Sequence, residues 1–229
     1  MSEVIIVAID GPAGAGKSTV AKRLAKKLGF LHIDTGAMYR AVTLAALRQK
    51  ADLNSDAELT RIAESSRVEL RPGDLENKIF LNEEDVSQAI RTPEVTRATA
   101  YIANSVPVRK LLVARQQQIG RVDSAPYGGA VLEGRDIGTD VFPDARFKFF
   151  LDASVETRAR RRLLELEKAG VDTTLEKVQA DVAARDERDY NRVVGGLRKT
   201  PESIVVDHSH LNVDESAEDL FQFVRKSLQ

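Results

Sequence analysis

Apolar residues along the chain fall into short runs separated by longer amphipathic stretches. Val4–Ile9, Leu31–Ile33, Ala130–Leu132, Phe147–Leu151 and Ser203–Val206 are apolar without strict alternation, the pattern of parallel strands covered on both faces. Between them the period lengthens. Thr19–Leu28 places Val20, Ala21, Leu24, Ala25 and Leu28 on one helical face and meets Gly29 at its end, where a left-handed residue can close a helix. Gly36–Arg48, Pro107–Gly120, Val155–Lys168, Thr174–Tyr190 and Glu215–Leu228 read as further helices, with Pro107 near the start of its own,. Short strands alternating with helices predict an α/β fold with a doubly wound, five-stranded parallel sheet flanked by helices.

One region breaks the rhythm. Between about 50 and 100, Arg67–Arg71 and Lys78–Leu81 read as antiparallel strands around "PGDLEN",. The segment from about 155 to 195 is dense in arginine and acid and poor in aromatics, and reads as a helical arm. The expected organisation is therefore a core of residues 1–48, 99–154 and 196–229, an insertion at 49–98 with a small antiparallel sheet, and an arginine-rich helical lid at 155–195.

Composition narrows the function classes. The chain has 229 residues, 42% apolar and 30% charged, which suits one globular domain with insertions,. Its formal net charge of −1 gives no global basic field to gather nucleic acid, so basic work must be local,. Without cysteine there are no disulfides and no thiolate sites,. No apolar run approaches the ~20 residues of a membrane span, and the start is not a signal peptide, so a cytoplasmic location is expected. His32, His208 and His210 lack a zinc-type spacing and read as structural or solvated,.

The first candidate chemistry is "GPAGAGKST", Gly11, Pro12, Ala13, Gly14, Ala15, Gly16, Lys17, Ser18 and Thr19, between the first strand and the first helix. It fits G-x-x-x-x-G-K-[ST]. Glycines let backbone N–H groups turn toward phosphate oxygens, the helix adds its positive end, Lys17 adds charge at the outer phosphates, and Ser18 offers a hydroxyl to Mg²⁺. A nucleoside triphosphate is the expected ligand. No N-K-x-D segment is present to read guanine ("ENKIF" lacks the Asp). A small-molecule kinase needs a second cradle and movable positive charge.

Three segments can supply them. "HIDTGAMYR" sets Asp34 and Thr35 at a strand end and helix cap, with Arg40 farther into the helix,. "VLEGRDIGTDVFPDA" sets Glu133, Arg135 and Asp136 past the third strand, the sheet edge where ligands sit in parallel α/β folds,. "RDERDYNR" puts Arg185, Asp189 and Arg192 on one helix face, and "RARRR" crowds arginines that an anion would relieve,.

With these residues together, the chain resembles the bacterial-type cytidylate kinase family, P-loop nucleoside monophosphate kinases that move a phosphate from ATP to CMP or dCMP. The resemblance runs nearly end to end, through "IDGPAGAGKST", "DTGAMYR", "VRKLLVARQ", "EGRDIGTDVFPDA", "KFFLDAS" and "RDERDYNR", and includes "DVSQAIRTPEV" at the end of the insertion. It implies that Thr35, Arg40, Arg135 and Arg192 hold the acceptor's phosphate, that Arg109 and Asp136 read cytosine, and that Arg185 and Asp189 meet the ribose. It further implies that Arg158, Arg161 and Arg162 form the lid's catalytic basic cluster beside Lys17. The family often carries a serine nine residues before the base-reading arginine, and here that position is Ala100, with Thr99 and Ser105 nearby.

The expected chemistry is in-line transfer of the γ-phosphoryl group of ATP to CMP or dCMP in pyrimidine metabolism, with Mg²⁺ bound at Ser18. An acceptor phosphate is already anionic, so no general base is required. The expected partners are these small molecules alone, with no nucleic acid or membrane, and the expected state is a monomer. Two alternatives stand beside this reading: a kinase of another small acceptor such as UMP, and a nucleotide-sensing module without turnover.

Overall fold

In chain order the principal elements are β1 (Ile5–Asp10), α1 (Lys17–Leu28), β2 (Leu31–Asp34), α2 (Thr35–Arg48), α3 (Asp56–Ser65), β3 (Val68–Arg71), β4 (Lys78–Leu81), β5 (Glu84–Asp85), α4 (Pro93–Asn104), α5 (Val106–Gln118), β6 (Gly129–Gly134), β7 (Phe147–Asp152), α6 (Val155–Lys168), α7 (Leu175–Asn191), β8 (Ile204–Asp207) and α8 (Val213–Ser227). They come from a computed structural model that describes all residues except 1–3, 72–76, 169, 208, 210–212 and 229. The expected turn at 72–76 and two of the histidines, His208 and His210, lie outside the described residues.

The five apolar runs form one parallel sheet in the order β2-β6-β1-β7-β8. The central strand β1 pairs with β6 and β7, so that Ile9 lies opposite both Glu133 and Phe149. The chain leaves β1 for the β2 edge, returns to β6, and then crosses to β7. In open α/β sheets such a reversal marks where ligands sit, at the carboxyl ends of the strands. The loops after β1 and β6, which carry the candidate chemistry, start from that edge.

Both sheet faces are apolar, which is why the strands read as continuous runs. Val7, Ile9, Val131, Phe149 and Leu151 pack with Val20, Leu24, Leu220 and Val224 of α1 and α8. Ala8, Leu132 and Phe150 alternate with those strand residues and are fully buried in turn. Truncating one such buried leucine, for example Leu24→Ala, costs about 2–5 kcal/mol. The last strand differs from expectation: β8 is the sheet's edge, and Val205 is 52% exposed. An edge strand can be as apolar as a central one while lacking a cover on one side.

The chain forms two compact units, residues 1–32 with 124–229, and residues 33–123. In this division α2 and α5, which the sequence reading sets in the core, group with the small sheet. Within the second unit, α2 buries ten side chains, and Thr43 donates to the Thr99 hydroxyl of α4 at 3.3 Å. The unit also contains the β3-β4-β5 antiparallel sheet. Two helices, α3 and α4, were not anticipated. Each has a start signal in the sequence: the Glu58 N–H donates to the Ser55 hydroxyl, and the Val95 N–H donates to Thr92 ahead of Pro93,.

Candidate active site

The phosphate loop is built from backbone. It leaves β1 at Gly11, whose φ of 150° is paired with an approach to β7 so close that a Cβ would overlap the Leu151 carbonyl. The loop ends at Gly16, which caps α1 without a side chain, and the first turn of α1 carries no acid. The amides at that helix start are thus presented to an anion instead of to a capping oxygen. Lys17 is buried and its Nζ donates to the Pro12 carbonyl at 2.7 Å. Burial first, then the Arg135 guanidinium, push its pKa well below the usual lysine range; Arg185 adds to the effect, while Glu133 and Asp10 oppose it.

Glu133, next to last in β6, is buried. Its Oε1 lies 2.9 Å from His32 Nε2, and it also accepts a hydrogen bond from Ser18. Burial opposes its ionisation, but the His32 and Ser18 bonds and the Lys17 field outweigh that and hold the carboxyl below the usual range. An ionised carboxylate next to a serine hydroxyl is a hard-oxygen set that suits Mg²⁺. Among the described residues no group of three or more His, Cys, Asp or Glu could hold a metal.

Asp10, the last residue of β1, was not singled out in the sequence. It is buried and accepts the Ile137 and Gly138 N–H groups, each at 2.8 Å. It therefore fixes the turn that follows Asp136. Burial raises its pKa to about 6 against the lowering effect of these two bonds, and Asp136 raises it further. A strand-ending aspartate inside an apolar run was the available signal.

The arginine segments divide sharply. Arg135 Nε donates to Asp189 Oδ2 at 2.9 Å, and Arg192 Nη2 donates to Asp189 Oδ1 at 2.8 Å. Burial of Asp189 is outweighed by Arg135 and Arg192, so its carboxyl lies below the usual range; Arg185 contributes to the same field. Arg192 sits one residue past the end of α7, yet shares the Asp189 face as its spacing predicts. Asp136 is buried after β6.

The "RARRR" cluster does not act as one group. Arg158 is buried and its guanidinium is bound to Ala153, Ala13 and Asp186. Arg158 is thus held inside the protein by three of its five N–H donors, unlike its two neighbours in the cluster,. Arg161 is half-buried, and burial lowers its pKa. Arg162 is exposed and paired with Glu165 at 2.8 Å. The helices α6 and α7 hold each other through Ala159, Val178 and Val182.

In the second unit, Thr35 is buried at the start of α2, behind the Asp34 cap that accepts from the Ala37 N–H at 3.0 Å. Arg40 is half-buried farther along α2. Arg109 on α5 is buried, with its guanidinium 5.6 Å from the Tyr39 ring centroid. The Thr99 hydroxyl donates to Val95 at 2.7 Å, while the buried Ser105 hydroxyl has no hydrogen-bond partner among the described residues.

A family model described as cytidylate kinase matches residues 7–226. A protein named cytidylate kinase from Bacillus cereus is 45% identical over 224 residues, covering 98% of this chain and 97% of that relative. One of the same name from Bacillus thuringiensis has the same identity and coverage. Among solved structures, an uncharacterised protein from Eubacterium ventriosum aligns with a TM-score of 0.50 at 13% identity, over 96% of this chain and 98% of that one. At that identity the likeness concerns the fold alone.

Proposed function

The chain belongs to the cytidylate kinase family, and on that premise we propose that it transfers the γ-phosphoryl group of ATP to CMP, with dCMP as a second acceptor. The observation that carries the reading is the electrostatics of Lys17. This ammonium is buried at the end of the glycine loop, where its Nζ donates to the Pro12 carbonyl at 2.7 Å, and burial first, then the field of Arg135, lowers its pKa, with Arg185 adding to it. Cations gathered at the end of a sheet are stable together when an anion lies among them, and a transferring phosphoryl group is such an anion.

In the proposed reaction an anionic oxygen of the acceptor phosphate forms a bond to the γ-phosphorus. The bond to the β–γ bridging oxygen breaks, and its electron pair leaves with ADP. Backbone N–H groups of the 11–19 loop, Pro12 excepted, hold the donor phosphates, and Lys17 neutralises charge at the outer ones. The same phosphate charge restores the ammonium's hold on its proton. Ser18, supported by Glu133, would hold Mg²⁺. That ion would supply positive charge against the donor phosphates.

Arg135 and Arg192, with Thr35 and Arg40, are assigned to the acceptor phosphate. Arg185 and Asp189 are assigned to the ribose, and Arg109 and Asp136 to the base. Cytosine has a donor at its exocyclic amine and acceptors at N3 and O2, so a carboxylate and a guanidinium complement it; uracil reverses two of these positions. Arg161 and Arg162 are assigned to the closing lid. A three-part division into core, acceptor insertion and lid accompanies this scheme, and lid closure keeps water from accepting the phosphoryl group.

A coupled ADP-release assay with CMP, dCMP, UMP, AMP and no acceptor tests the reading. Release should depend on acceptor and be fastest with a cytosine nucleotide. Equal release without acceptor, or a preference for UMP, would overturn it.

A further inference from the structure

Arg158 is nearly fully buried, at 3% exposure, although arginine is among the residues least often found so,. Its three guanidinium nitrogens go to three different places. Nε donates to Ala153 at the end of β7 at 2.8 Å, Nη1 to the Ala13 carbonyl of the phosphate loop at 3.1 Å, and Nη2 to Asp186 Oδ2 of α7 at 2.6 Å. Gly14 lies against the same residue: with φ at 77°, a Cβ there would meet Arg158 Cβ at 3.3 Å.

The bond to Ala13 has a consequence for the loop. Across a trans peptide, C=O and N–H point in opposite directions. A guanidinium that holds the Ala13 carbonyl on one side turns the Gly14 N–H to the other. We propose that Arg158 is a positioning residue of the donor site, orienting the Ala13–Gly14 peptide so that its N–H serves the triphosphate, with Asp186 holding the guanidinium in place. The inference rests on reading Gly11–Ser18 as the donor cradle. It also joins that cradle to α7, one residue from Arg185 and three from Asp189, so that the two ligand-binding segments share a fixed frame.

A lysine at 158 keeps the charge but loses the fork. Arg158→Lys, Arg158→Ala and Asp186→Asn should be titrated calorimetrically in the full chain with a non-hydrolysable ATP analogue and, separately, with CMP. Arg158→Lys should weaken the analogue at least tenfold while changing CMP affinity less than threefold. Asp186→Asn should weaken the analogue three- to tenfold. If Arg158→Ala does not fold, the other two variants decide. Analogue affinity within twofold of wild type in folded Arg158→Lys would overturn the proposal, as would equal losses for both ligands, which mark general loosening. Wild-type protein that fails to bind the analogue would overturn the cradle reading itself, and this inference with it.

Discussion

The phosphate loop and the Asp189 cluster both gather positive charge, but they are made of different material. The loop is backbone, turned by glycines and fixed by neighbours such as Leu151 and Arg158, with one buried ammonium at its end. The cluster is side chain: Arg135 and Arg192 are already bonded to the two oxygens of Asp189. A backbone site has no substitute for a lost part. A side-chain site has its charges balanced beforehand, so the loss of one member shifts affinity more than it abolishes chemistry.

The largest expected effect tests the first half of that contrast. Lys17→Ala should lower kcat by two to three decades or more, as the loss of one preorganised charge donor does. The fold should persist, because burial already disfavours this ammonium. Circular dichroism and steady-state kinetics check it, and a near-normal kcat would remove the loop from the chemistry.

Asp10 links the loop to the turn after β6, and its effect is on stability. Its pKa in the folded protein is about 6, above its ordinary 3.8. The folded state therefore holds this proton more tightly than the unfolded state. The stabilising contribution is complete below pH ~4 and is lost as pH rises through about 6, and it amounts to about 3 kcal/mol. Denaturant unfolding at pH 4.5 and 7.5, compared between wild type and Asp10→Asn, should show a fall with rising pH in the wild type that the variant lacks. Identical pH dependence in the two would show that Asp10 does not hold the proton.

Arg192→Ala and Arg135→Ala test the second half. Each should raise KM for CMP by one to two decades, the worth of a charged hydrogen bond at ~1.5–3 kcal/mol, and KM for ATP much less. Equal rises for both substrates would place these arginines in a structural ion pair or at the triphosphate.

The same contrast explains what was legible in the sequence. The glycine loop, the five strands and the helices that follow them are local signals, and they lie where their patterns put them. The i, i+4, i+7 spacing of Arg185, Asp189 and Arg192 is also local. Its outcome could be read because Asp189 faces both Arg192 and the more distant Arg135. What composition could not separate was one arginine of "RARRR" from the next. Arg158 turns inward because Asp186, 28 residues away, and Ala13, 145 residues away, meet it there. Asp10 was missed for a related reason: it looks like a lone polar residue until Ile137 and Gly138 are brought beside it. The helices α3 and α4 have their caps at Ser55 and Thr92.

The smallest expected effect concerns selectivity, where neither kind of site acts alone. Asp136 is buried, and the turn behind it is held by the backbone bonds to Asp10. Its carboxylate is placed by backbone but reads through a side chain. If it accepts from the exocyclic amine of cytosine, it also repels the carbonyl that uracil presents at that position. Asn at 136 offers a donor as well as an acceptor at similar volume. Asp136→Asn should therefore lower kcat/KM for CMP by about one decade while narrowing the CMP-over-UMP ratio. The comparison requires kcat/KM for both nucleotides in both proteins. A ratio that stays constant while both rates fall would mean that Asp136 supports the turn or a neighbouring arginine and does not read the base. The selectivity would then have to come from the second unit, where Arg109 and the buried hydroxyl of Ser105 lie one helical turn apart on the sequence.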